Sequence, residues 1–108
     1  MRKRNEQNER TKRRYVTYLK QAMGKDEKTI DKVLAVLVLF EDSTRFKPFK
    51  KFHIEQAGRF KEYLAKAKNR RTGKPLTHAT VDATLRMVKA FFHWLAGQPG
   101  FKSVLSYA

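Results

Sequence analysis

Apolar residues recur at helical spacing in four places along the chain, separated by short polar or turn-forming stretches. Tyr15, Tyr18, Leu19, Ala22 and Met23 form the first set, and Gly24 is a natural stop behind them. They predict a helix over about residues 10–23. Asp26 suits an N-cap, and Ile30, Val33, Leu34, Leu37 and Phe40 continue one stripe from it. The β-branched content of the run 33–40 would also suit a buried strand. The capped start and the unbroken stripe favour a helix, and its nearly all-round apolar second half makes it the central one.

Residues 41–51 read as a connector, with Ser43 and Thr44 favouring a turn and Pro48 breaking any helix. A third helix is expected over 54–67, burying Ala57, Phe60, Tyr63 and Leu64. Phe52 would staple its start, and Gly58 would let a second helix approach closely. Residues 66–75 form a basic loop containing Asn69, Gly73 and Pro75. Thr77 then caps a long fourth helix marked by Val81, Leu85, Val88, Phe92 and Leu95 and closed by Gly97. Residues 101–108 read as a strand or tail without partners of their own. The expected fold is all-α, a compact four-helix bundle behind a basic flexible arm at residues 1–14.

Length and charge narrow the picture. A chain of 108 residues suits one domain, and area scaling lets about two-thirds of its surface be buried. Lys and Arg number 25 against 10 Asp and Glu, a formal net charge of +15. A domain so charged repels itself, and a polyanion is the natural relief. Cysteine is absent, which excludes disulfide scaffolds, thiolate metal sites and thiol catalysis. Met1-Arg2-Lys3-Arg4 has the charge of a signal-peptide start, but no apolar stretch follows it, and the apolar run 33–40 is far short of the ~20 residues a membrane span needs. The expectation is no membrane association and a cytoplasmic location.

The three histidines, His53, His78 and His93, lie in no metal-ligand spacing, and there is no Gly-rich phosphate loop or G-x-S-x-G. Of the carboxylates, only Asp82 follows Tyr63. Neither catalysis, a metal nor a cofactor is therefore expected. From Tyr63 to Ala108 there are eight Lys or Arg against one Asp, a balance suited to phosphate neutralisation. The basic loop is its sharpest local expression, although a solvated loop is the simpler account of any charge run. The fourth helix has a second face of Asp82, Arg86, Lys89 and His93. Thr77, His78 and Thr80 at its start are of the kind that reach phosphates or base edges, unless Thr77 merely caps and Thr80 merely packs. Most aromatics sit in predicted helices and suit a core. Phe46, Phe49 and Phe52 alternate with Arg45, Lys47, Lys50 and Lys51, a pattern that would also suit single-strand stacking.

Three segments together resemble a known family. Lys28-Thr29-Ile30 opens one helix, and Phe52-His53 precedes Phe60 and Leu64 in the next. Leu76-Thr77-His78-Ala79-Thr80-Val81 leads into Leu85, Val88, Phe91-Phe92 and Trp94-Leu95. In this order the stretch 15–100 resembles the N-terminal core-binding domain, a SAM-like helical domain, of phage-type integrases in the tyrosine recombinase family. The resemblance implies a bacterial or phage-encoded, nucleoid-associated protein whose four-helix domain forms one jaw of a clamp around double-stranded DNA. It implies groove contacts from Lys28, Lys32, Thr77, His78, Thr80 and Arg86, and backbone contacts from Arg70, Arg71, Lys74 and Lys89. The family's catalytic Arg, Lys, H-x-x-R pair and Tyr lie in a separate C-terminal domain. No H-x-x-R occurs here, so Tyr107 is not read as the nucleophile, and residues 101–108 are expected to begin a linker to that domain in a longer protein that oligomerises on DNA. Within that reading the uniformly apolar run 33–40 would contact the missing domain or a second protomer; a rival expectation makes the chain a protein-interaction module whose charge only solubilises and whose apolar second helix docks a protein partner.

Overall fold

In the computed structural model, which describes residues 5–51, 54–68, 72–99 and 101, helical periodicity is realised in four helices. These are α1 (Glu6–Gln21), α2 (Glu27–Ser43), α3 (Ile54–Lys66) and α4 (His78–Ala96), with a 3-10 turn at Phe49–Lys51. The only extended pairing among the described residues is an isolated bridge between Lys68 and Pro75. The fold is all-α.

Two starts are fixed by the caps the sequence offers. The Asp26 carboxylate accepts the Thr29 N–H at 2.9 Å, and the Thr77 hydroxyl accepts the Thr80 N–H at 3.2 Å. Each cap sits in extended backbone and satisfies a donor that the first turn leaves orphaned. Gly97 closes α4, and Gly24, at φ +62°, turns the chain after α1.

The first helix departs from expectation. It begins at Glu6 and not near residue 10, so the arm expected at residues 1–14 is helical from residue 6 onward. Asn5 is the cap, its side chain accepting the Asn8 N–H at 3.1 Å, and Glu6 and Glu9 lie in the first turn, where the helix dipole favours negative charge. Asn8, Thr11 and Lys12 are buried together with Tyr15 and Leu19. Lys12 forms an ion pair with Glu41, whose side chain is 1% exposed, and another with Glu9 at 2.7 Å. Asn8 donates to Glu41 at 3.3 Å and to the Lys47 carbonyl at 3.0 Å, and it accepts the Phe49 N–H at 3.0 Å. Asn5 donates to the Phe46 carbonyl at 3.1 Å. A polar stretch thus acquires a buried face because its partners lie at the far end of α2.

That end also runs longer than the apolar pattern. Helix α2 continues to Ser43 and stops in a Schellman arrangement, with Phe46 N–H on the Glu41 carbonyl at 2.8 Å and Arg45 N–H on that of Asp42 at 3.2 Å. Arg45 (φ 57°) and Phe46 (φ 62°) are both left-handed, a conformation that glycine normally supplies. Pro48, expected only to break a helix, accepts the Lys51 N–H at 3.0 Å and so starts the 3-10 turn.

Helix α2 packs against each of the other three helices. Val33, Val36, Leu37 and Phe40 are buried, and Leu34 and Leu39 lie partly against the core. The apolar run expected to offer a surface to a partner is therefore largely covered within the domain. Around it the aromatic rings meet edge to face, Phe40 with Phe60 and Phe92 at 5.2 Å and Phe49 with Phe91 at 4.9 Å. Phe101 is buried too, so the position expected to begin a linker belongs to the core. In α3, Phe60 and Leu64 are buried as expected, whereas Ala57 and Tyr63 are only half-buried. Phe52, expected to staple that helix, lies outside the described residues, as do 102–108.

Gly58 corrects another expectation. It is exposed, and a Cβ added there would meet nothing within 4 Å, so no helix approaches it. Gly58→Ala should raise stability by about 0.5–1 kcal/mol, read by thermal unfolding. Glu41→Gln removes the buried one of the two carboxylates paired with Lys12, leaving Glu9, and should cost about 2–3 kcal/mol in urea unfolding, whereas Lys12→Met with Glu41→Gln should recover most of that loss.

Candidate nucleic-acid interface

The fourth helix has two opposed faces, as its sequence period requires. Thr84, Val88, Phe91, Phe92 and Leu95 are buried. On the other side His78, Asp82, Arg86, Lys89 and His93, spaced three and four residues apart, are all exposed. Arg86 and Lys89 have no ion-pair partner among the described residues. One outward stripe therefore combines two fixed cations with two imidazoles, near a single carboxylate.

At the head of this helix the threonines are engaged with each other. The Thr77 hydroxyl accepts the Thr80 N–H and donates to Thr80 Oγ at 3.0 Å, so its bonding capacity serves the cap. Thr80 stays exposed, and its carbonyl accepts the Thr84 hydroxyl at 2.8 Å. On α2, Lys28 and Lys32 are exposed at a spacing of four, one turn apart on one side. In the basic loop, the Lys68–Pro75 bridge draws the two ends together, Gly73 takes φ +69°, and Lys74 is exposed with its N–H on the Thr72 hydroxyl at 3.3 Å. Arg70 and Arg71 lie outside the described residues. Among the expected site residues, only Thr77 and Thr80 are joined by a described hydrogen bond.

A second basic surface escaped the sequence reading as a duplex site. Arg45, Lys47, Lys51 and Arg59 line two adjoining grooves where the connector after α2 meets the first turns of α3. The alternation of Phe and Lys there was visible, but its aromatic half plays a different part. Phe49 is 2% exposed and packed edge-on against Phe91 and Phe92, so it offers no face to a base. The signal that could have found the groove is the run of cations after an α2 C-terminus, with Arg59 one turn into the next helix.

Asp26 and Tyr15 are held away from their ordinary values by their surroundings. The hydrogen bonds from the Thr29 side chain and backbone hold the Asp26 carboxyl below the usual carboxylate range. Burial, with the neighbouring Tyr18 second, pushes the Tyr15 phenol up.

No cluster of three His, Asp or Glu able to hold a metal occurs among the described residues, and no helix there is long and apolar enough to cross a membrane. Compared with family models, curated proteins and solved structures, the chain gives no match.

Thr77→Ala should cost about 1 kcal/mol, with a melting midpoint lower by roughly 4–8 °C, while Thr77→Ser keeps the cap. The lowered Asp26 carboxyl stabilises the fold above the ordinary carboxylate range, and that contribution is lost as pH falls through the folded-state value. The raised Tyr15 phenol acts oppositely, its contribution being present below the ordinary tyrosine range and lost as pH rises through the folded value. Melting curves of Asp26→Asn and Tyr15→Phe should accordingly flatten the acid and the alkaline limb respectively.

Proposed function

We propose that this chain is a duplex-DNA-binding domain of the tyrosine-recombinase type, carrying no catalytic step itself. The observation that carries the reading is the outward face of α4, where Arg86 and Lys89 stand exposed and unneutralised on a helix whose opposite face is the core. Lys28 and Lys32 on α2 and the basic loop around Arg70, Arg71 and Lys74 add to it, and the net charge of +15 gives them a common purpose. The four-helix architecture agrees with the resemblance of residues 15–100 to integrase core-binding domains. On this reading the DNA phosphates supply most of the affinity, a C-terminal catalytic domain is the natural intramolecular partner, and the full protein assembles on DNA.

The burial of Val33, Val36, Leu37 and Phe40 in the α2 apolar run favours this reading over a protein-docking helix, and the burial of Phe49 favours it over single-strand stacking.

Fluorescence-anisotropy titration with random-sequence duplex and single strand at two salt concentrations tests it. Tighter duplex binding with a steep loss on adding salt is expected. Arg70→Glu with Arg71→Glu should weaken binding to all sequences alike. Arg86→Ala should change the ratio between target and random duplex, and equal losses on both would remove groove readout from that residue. No binding at low salt would defeat the proposal.

A further inference from the structure

We propose that the groove between the α2–α3 connector and α3 is a second, preorganised phosphate-binding surface, gripping the backbone of a nucleic acid apart from the α4 face. It rests on the duplex-binding reading for the class of ligand only; the groove's own features point to the anion. Arg45, Lys47, Lys51 and Arg59 line it against one carboxylate, Glu55. Glu55 lies 4.0 Å from Arg59 with both side chains about 70% exposed, too open a pair to withhold the guanidinium from a phosphate. Arg45, Lys47 and Lys51 are exposed and have no ion-pair partner among the described residues.

Two further observations set this surface apart from an ordinary charged loop. The first is rigidity. The carbonyls of Phe46 and Lys47 and the N–H of Phe49 are held by the side chains of Asn5 and Asn8, and Asn8 in turn is bonded to buried Glu41. The backbone carrying Arg45, Lys47 and Lys51 is therefore placed before any ligand arrives, which lowers the ordering cost of binding. The second is strain. Arg45 occupies the left-handed position of a Schellman turn, where glycine would sit without penalty and would leave the groove one cation poorer. An arginine held there trades stability for a charge at the groove's rim. Such a surface takes phosphodiester oxygens by charge, with no base readout.

The substitution Arg45→Gly separates the two effects. It should raise the melting midpoint by a few degrees while weakening random-duplex affinity about two- to threefold, opposite signs that damage to the fold cannot produce. The triple variant Lys47→Gln, Lys51→Gln, Arg59→Gln changes exposed side chains only. It should reduce the slope of log affinity against log salt by about 2–3 for random duplex. Unchanged affinity and slope in the triple variant would overturn the proposal. Amide shifts on titrating a short random duplex into the intact chain distinguish the two surfaces. Shifts at 45–51 and 56–59 together with α4 support both. Shifts confined to α4 overturn the groove and leave the proposed interface standing, while shifts confined to the groove do the reverse. No shifts anywhere overturn both.

Discussion

The contact of Lys12 and Asn8 with Glu41 is the constraint on which the rest of the structure depends. It joins residues 29 and 33 positions apart and fixes the first half of α1 against the last turn of α2. Every buried polar atom in the ensemble must find a partner, since an unpaired charge in that environment would cost several kcal/mol. Such a pair contributes little net stability compared with apolar side chains of the same shape. What it contributes is position, because a carboxylate that must face one ammonium and one amide admits few arrangements of the two helices. Through Asn8 the same contact reaches the Lys47 carbonyl and the Phe49 N–H, and so sets the path of the connector.

From that anchor the core assembles around α2. Its apolar run meets α1, α3 and α4, which explains why nearly all its sides are apolar where a surface helix would keep a solvated back. Phe49, delivered by the anchored connector, completes a cluster with Phe40, Phe91 and Phe92 whose rings meet edge to face. This division of labour lets the fold carry its charge: apart from Lys12, the cations among the described residues lie outside the core, where water and salt screen their repulsion.

The functional proposals follow from the same geometry. Helix α4 must bury one face to complete the core, so its cations point outward as a consequence of its period. The connector is held by buried bonds, so its cations ride on a fixed backbone. Both surfaces present charge on elements whose positions the core decides, and on the proposed reading that spaced charge would meet a phosphate backbone. The threonine pair at the start of α4 works chiefly as a cap, leaving Arg86 and Lys89 as the side chains through which that helix would meet DNA.

The sequence by itself determined the helices wherever a cap and an apolar period agree within a few residues. Asp26 with Thr29, Thr77 with Thr80, and Gly97 after Leu95 are local signals, and the fold follows them because orphaned N–H groups and apolar stripes need only near neighbours to be satisfied. The outward stripe of α4 was legible for the same reason. The helical turn at residues 6–9, the buried polar face of α1 and the path of the connector were not. Seven Lys or Arg in the first 14 residues read as a solvated arm, and Glu41 as the start of the connector. Only the tertiary structure could decide otherwise, because burying Asn8, Lys12 and Glu41 is unfavourable for each alone and becomes favourable when distant segments bring them together. The left-handed Arg45 and the basic groove beside it were settled at the same level, by contacts that no window along the chain contains.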